Sequence, residues 1–361
     1  MCYVNGTTLT IAGNGSGHIY MNPDSSFAFS GSDKASQFRA LTEINGIELL
    51  DTSKVTTMKR LFAYCDSLKS LDVSNFDTSN VTDMQFAFGS GGLSSTQMAL
   101  TEITGIEDFD TSNVTTMFAM FQECSSLKEL DVSKWDTGKV TDMGFMFYQV
   151  NNLTSRTVDV SNWDVSKVTS FDHMFAHSSM KDIDVSKWNT SSATNMYALF
   201  HTVRNTSIDV SSFDTSNVTV FGQMFEYMTE LTEIKGLENF DTSKGIDFDE
   251  MFCNCSKLTK LDLSSFDTRN ATFNKVTVSA NGGVALSTWH MFDGMTSLQE
   301  IKLGENFTFT GDGTTKSGYT YGVLPTPGMT GADGNWYNES GTAFAPADVP
   351  GLTADTYYAI Q

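Results

Sequence analysis

The sequence predicts an α/β repeat solenoid, with parallel strands on a concave inner face and short helices outside. Three observations predict it: one phrase recurs in phase, each copy has a strand-like and a helix-like half, and neither half can enclose a core alone. The phrase is clearest in Leu71-Asp72-Val73-Ser74-Asn75-Phe76-Asp77-Thr78-Ser79-Asn80-Val81-Thr82-Asp83-Met84. It returns as Phe109-Asp110-Thr111-Ser112-Asn113-Val114-Thr115-Thr116-Met117. Self-similarity at a period of roughly 20–50 residues marks an array.

The phase is set by Asp51, Asp77, Asp110, Asp136, Asp164, Asn189, Asp214, Asp241 and Asp267, spaced 26, 33, 26, 28, 25, 25, 27 and 26 residues apart. Nine copies with a mean step of 27 cover residues 41–298. Residues 1–40 are expected to form an N-terminal cap and 299–361 a C-terminal cap or small β appendage. Length alone would suggest two or three domains, but a continuous array makes one elongated domain.

Leu71 and Val73 alternate with polar neighbours, as in a half-buried strand, and Asp182-Ile183-Asp184-Val185-Ser186 repeats the pattern. After the Asp-Thr-Ser turn the spacing changes. Val55, Met58, Leu61, Phe62, Cys65 and Leu68 fall at offsets of 0, 3, 6, 7, 10 and 13, which predicts a helical stripe. Thr56, Thr82 or Thr115 would be its N-cap, with Asp83 or Asp142 in the first turn. Stacking the copies would put the strands in a parallel sheet on the order of 45 Å long, at about 4.8 Å per strand.

The repeat Leu-Asp-Val-Ser-x-(Phe/Trp)-Asp-Thr-Ser-x-Val-Thr-x-Met-x-x-Met-Phe-x-x-Cys-x-x-Leu resembles that of the BspA-like leucine-rich-repeat bacterial surface proteins. Departures are local: Phe171, Phe221 and Phe248 replace the first Met, and Gly245-Ile246 and Ala271 disturb the Val position. The resemblance implies a leucine-rich-repeat-type curved solenoid and an extended, surface-displayed, adhesin-like binding protein for host or microbial protein or glycan. It implies no chemistry. The alternative is a structural spacer or self-associating surface component with no ligand site of its own.

The net charge of −21 arises from 43 acidic against 22 basic residues. Without a Lys/Arg cluster, nucleic acid and anionic membranes are poor partners. Such acidity suits basic partner surfaces and, more weakly, divalent cations. Neither an apolar signal-peptide core nor an 18-residue apolar span occurs. The expectation is therefore an extracellular or cell-surface piece of a longer anchored or secreted protein. The insertions at 89–99, 150–156 and 273–287 would be loops on one face.

The predicted ligand face is the outward column of the strand half: Asp72, Ser74, Asp131, Ser133, Asp159, Ser161, Asp184, Ser186, Asp209, Ser211, Asp262 and Ser264. With Leu and Val inward, these residues point outward. A solvated sheet face reads the same way. A regular column of equal carboxylates argues against glycosidase chemistry, which needs two in contrasting environments. No copy breaks the pattern with a polar cluster, so no enzyme is expected. The Asp-Thr-Ser column is expected to satisfy its carboxylates through Asx-turns, with calcium bridging the copies as the alternative.

Phe76, Phe109, Trp135, Trp163, Trp188, Phe213, Phe240 and Phe266 share one phase, directly before the turn. That position favours an internal ladder of stacked rings over a sugar-binding row. Cys65, Cys124 and Cys255 share a phase and read as buried apolar residues. Cys253-x-Cys255 has half the pattern of a metal or redox site, but its partners are absent and helix neighbours two apart diverge, so it too reads as packing. His173 and His177 are one helical turn apart and lack the following Glu of a zinc protease, so a helix surface is expected. Neither a phosphate loop nor a nucleophile elbow occurs: Gly13-Asn14-Gly15-Ser16-Gly17 lacks the lysine, and no Gly-x-Ser-x-Gly joins strand to helix.

Overall fold

The computed structural model describes residues 2–13, 15, 17, 19–31, 36–90, 98–271, 276–277, 284–285, 290–309, 315–316, 319–320 and 323–360. Asn14, Ser16, His18, most of the insertions at 89–99 and 273–287, and Gly311-Asp312-Gly313 lie outside these residues. The chain forms two compact units, one of residues 1–168 and 174–183 and one of residues 169–173 and 184–361.

In both units copies pair in parallel through the strand half. Ser70–Asp72 pairs with Glu102–Thr104 in the first unit, and Ser207–Asp209 pairs with Glu233–Lys235 in the second. Elsewhere the ladder thins to single bonds, such as the Lys128 N–H donating to Thr101 O at 3.0 Å. Leu71, Val73, Ile208 and Val210 are buried while Asp72 and Ser74 are exposed, as alternation requires. At the N-terminal end the hairpin of Cys2–Asn5 and Thr8–Ile11 joins Glu43–Asn45 in parallel. Residues 21–31 already bond to the first copy, with Phe27 and Phe29 N–H donating to Lys59 and Leu61 O. At the C-terminal end Asp355–Tyr358 runs antiparallel to Glu300–Leu303.

The predicted α-helices do not form. Among the described residues the only helical segments are short 3-10 turns, so the α/β expectation is corrected to strands and turns. The stripe 58–68 is instead a series of β-turns: Leu61 N–H donates to Met58 O at 3.0 Å, and Leu68 N–H to Cys65 O at 3.1 Å. Left-handed residues interrupt any helix, with φ of 56° at Arg60 and 60° at Tyr64. The same two positions are left-handed in later copies, for instance Ala119 at 55° with Glu123 at 63°, and Gln223 and Tyr227 at 56° each. Amides at and beside these positions bond to the next copy. Ala119 N–H donates to Gly144 O at 2.8 Å, and Phe121 N–H to Met146 O at 3.0 Å. Each left-handed non-glycine residue costs about 1 kcal/mol or more. The bond to the next copy and the burial of Met58, Leu61 and Phe62 offset that cost.

The threonines expected as N-caps do something else as well. Thr82 donates both its N–H and its hydroxyl to Thr56 O in the preceding copy, at 2.8 and 3.1 Å. The next residue continues a chain of parallel bridges, Thr57 to Asp83 to Thr116 to Asp142. Gly245 and Ala271, where irregularity was expected, keep the turn: each N–H donates to the Thr three residues earlier.

Two interior ladders run along the stacks. The aromatic phase is buried, from Phe76 at 8% exposed to Trp188 and Phe266 at 0%. Trp135 stacks on Trp163 at 6.4 Å, and Phe240 on Phe266 at 6.2 Å. A second row that the sequence reading did not single out, Phe29, Phe62, Phe88, Phe121 and Phe147, stacks at 5.2 to 5.9 Å with planes within 10°. Beside the rings the buried threonine of Asp-Thr-Ser donates its hydroxyl to the next copy: Thr111 to Asp136 O at 2.8 Å, Thr190 to Asp214 O at 2.9 Å. Each such net bond contributes about 1 kcal/mol, and losing one leaves a buried carbonyl short of a donor.

Left-handed backbone at non-glycine residues makes an unusual prediction. Gln149 has φ of 58°, and Thr202, β-branched and with a buried hydroxyl that has no hydrogen-bond partner, has φ of 65°. Gln149→Gly and Thr202→Gly should each leave stability level or raise it by up to about 1 kcal/mol in urea unfolding. In a helix either change would cost about 0.5–1 kcal/mol.

Candidate functional site

The outward Asp/Ser columns comprise three pairs in each unit. Asp72, Asp131 and Asp159 belong to the first unit, and Asp184, Asp209 and Asp262 to the second. All are exposed or half-buried, because the strand turns its Leu/Val face to the core. Every one forms the same local motif: its Oδ1 accepts the N–H of the Ser two residues on, at 3.0 or 3.1 Å. The Ser hydroxyl donates to the same oxygen at 2.6 or 2.7 Å in Ser133, Ser161, Ser186 and Ser264. Those donors hold the carboxyls of Asp72, Asp131 and Asp209 below the usual aspartate range, the serine hydroxyl contributing most. In Asp262 partial burial works the other way, but the bonds from Ser264 and the nearby Lys302 keep it lowered. The columns are thus rows of pre-set turns.

Two hollows touch these columns. In the first unit a depression of about 290 Å³ is edged by four acidic residues, Glu102, Glu107, Glu129 and Asp131. In the second, one of about 440 Å³ is lined by Ser264, Lys302, Glu305, Glu339 and Asp355 among others.

The Asp-Thr-Ser column closes the same kind of turn. Asp77, Asp110 and Asp214 accept the N–H two residues on at 3.0 Å, which satisfies each carboxylate locally. Asn80, Asn113 and Asn217 donate their side-chain amides to a serine carbonyl of the preceding copy, so each is tied down within the stack. Cys65, Cys124 and Cys255 are buried, each thiol donating to a phenylalanine carbonyl one copy back. Burial pushes the Cys65 thiol up to about 12.

His173 and His177 are not on a helix. Both are left-handed at φ of 55°, and His173 Nδ1 lies 2.6 Å from Asp172 Oδ1 while His177 is exposed.

Nor does every copy keep to the pattern. In the second unit His201, Glu226 and Cys253 occupy one phase of three successive copies, filled by Ala63, Gln122 and Tyr148 elsewhere. Beside it Gln223, Glu250 and His290 fill a second phase. One ligand atom each from Glu226, Glu250 and Cys253 lies within 4.8 Å of the others. Glu226 is 4% exposed, and its Oε2 has no hydrogen-bond partner, with His201 Nδ1 3.4 Å away. Glu250 accepts from Gln223 and faces His290 Nδ1 at 3.7 Å. Burial, and then the charge of Glu250, push Glu226 up to about 9. For Glu250 burial acts upward, but the bonds from His290 and Gln223 leave it lowered. The expectation that no copy carries a polar cluster is therefore corrected. The sequence does hold the signal, because His201, Glu226 and Cys253 are 25 and 27 residues apart, one period each.

The turn geometry fixes a pH dependence. A carboxyl lowered in the fold contributes stability that is fully present above the ordinary aspartate value of 3.8 and is lost as pH falls through the folded value. Thermal melts from neutral to acid pH should therefore fall steeply below about pH 4. Asp131→Asn, which keeps the acceptor oxygen, should make that fall shallower while changing the neutral melting temperature little.

Among solved structures the chain is similar to a leucine-rich repeat protein from Eubacterium ventriosum, with 16% identity over 90% of this chain and 91% of that one and a TM-score of 0.32. It is also similar to one from Bacteroides ovatus, with 15% identity over 79% and 78% and a TM-score of 0.30. Scores this low leave the fold to rest on the geometry above. No curated protein matches the chain. No described helix is long and apolar enough to cross a membrane. The family described as "Mycoplasma protein of unknown function, DUF285" matches residues 32–96, 92–209 and 200–282, so the chain belongs to that family.

Proposed function

We propose that this chain is a non-enzymatic binding module, a repeat solenoid of the BspA-like leucine-rich class, displayed extracellularly or at the cell surface within a longer protein. It engages host or microbial protein or glycan through the outward Asp/Ser columns. The observation that carries this reading is the acidic hollow beside Asp131 in the first unit, where Glu102, Glu107 and Glu129 meet the pre-set turn.

Pre-organisation matters here because binding is opposed by the ordering of interface groups. A carboxylate already fixed by its own serine has little freedom left to lose. The charge of −21 adds long-range attraction toward a basic partner surface, strongest at low salt. Chemistry has no such support on this face, since the turns are equivalent and no two carboxylates there have contrasting roles.

The experiment is binding of the purified chain to an array of glycans and matrix proteins, with and without calcium. An Asp72/Asp131/Asp159→Asn variant runs beside it. Asparagine keeps the turn and removes the charge, so folding is preserved. A saturable signal lost by at least about tenfold in the variant is expected, since several charge contacts are removed together. A signal kept by the variant places binding elsewhere on the chain. No signal, with concentration-dependent assembly of the chain, favours the self-associating component.

A further inference from the structure

The polar cluster of the second unit is not required by the repeat. The equivalent phase in the first unit is filled by Ala63, Gln122 and Tyr148, none of which is a metal ligand of ordinary strength. Among the described residues these two adjacent phases carry ligand-type side chains in succession through copies six to nine: His201, then Glu226, then Glu250 with Cys253, then His290. Neighbouring copies therefore present two carboxylates and a thiol to one point.

We propose that Glu226, Glu250 and Cys253 bind a thiophilic divalent transition metal of the zinc class, fastening the seventh copy to the eighth. The three donor atoms lie within 4.8 Å of one another. A tetrahedral ion with bonds of about 2.0–2.3 Å needs donors about 3.3–3.6 Å apart, so side-chain adjustments on the order of an ångström close the site. The thiol selects a borderline-soft metal over calcium or magnesium, which take oxygen donors. His201 and His290, at 3.4 and 3.7 Å from the two carboxylates, stand where an imidazole orients a ligating carboxylate or turns in as the fourth donor.

The second observation pointing to a ligand is Glu226 itself. Its Oε2 is buried, directed into the cluster and without a hydrogen-bond partner. Burying a carboxyl beside a second carboxylate is costly unless something positive joins them. Metal binding relieves this: the Cys253 thiol and any neutral Glu226 each release their proton to solvent, and the dication neutralises the resulting anions. Cys255 is not part of the site, because its thiol donates to Phe225 O in the core.

The probe is cobalt(II) added to the full chain stripped of metal, followed by zinc. A thiolate-to-cobalt absorption band saturating at one equivalent, displaced by zinc, and a higher melting temperature with zinc are expected. Cys253→Ser should abolish the band. Glu226→Gln, which preserves shape and is expected to fold, should weaken zinc by at least about tenfold. Cys124→Ser, at a buried thiol in the other unit, should change neither reading. No saturable band, or a band retained in Cys253→Ser, would overturn the proposal and leave the cluster as a buried His201–Glu226 contact. Equal loss in Cys124→Ser would overturn it too, because the signal would then depend on folding rather than on this site.

Discussion

Both units depend on one constraint: in the turn segment of each copy, amides at and beside a left-handed residue are spent on the next copy. A helix satisfies its amides internally and can stand alone for a few turns. Here Ala119 and Phe121 find their acceptors at Gly144 and Met146, so one copy has no complete hydrogen-bond set without its neighbour. The backbone accounting that every buried N–H must satisfy is thereby made collective. Stability in such a stack is a sum of nearest-neighbour terms, and an end is always short of a partner. Residues 21–31 at one end and the strands around Glu300–Leu303 at the other supply those partners.

The interior ladders follow from that constraint. Once copies are fixed at strand spacing, the same side chain in each copy meets its own image. Rings respond by stacking, as Phe121 does between Phe88 and Phe147 at 5.6 and 5.9 Å. Threonine responds by passing a hydroxyl bond along the row, and cysteine by lending its thiol to a carbonyl one copy back. Carboxylates cannot repeat down one interior row without repulsion, so the two repeating Asp columns lie outside, each Asp held by its own turn. Buried Glu226 and half-buried Glu250 come together where copies seven and eight adjoin.

Much of this was legible in the chain. The period, the inward Leu and Val of the strand half, the buried aromatic phase and the Asx-turns all follow from residue type and spacing, because a side chain's local options decide them. The helical reading of the stripe fails for a physical reason. Offsets of 0, 3, 6, 7, 10 and 13 fit a helical face, but consecutive three-residue turns produce nearly the same stripe. The first of the two left-handed positions holds Arg60, Phe86, Ala119, Phe145 and His173, and only late copies mark the second with Asn254 and Gly294. Backbone conformation there is dictated by the neighbouring copy, which no local window contains. The polar cluster was overlooked because its members are a full period apart. They align only when the chain is read down a phase rather than along it.

Through-hydrogen-bond scalar couplings in an isotope-labelled sample test the central claim most directly, because they identify the carbonyl partner of a given amide. The Ala119 amide should couple to the Gly144 carbonyl and the Phe121 amide to the Met146 carbonyl. Coupling of Phe121 to the carbonyl of Met117, its partner in an α-helix, would contradict it.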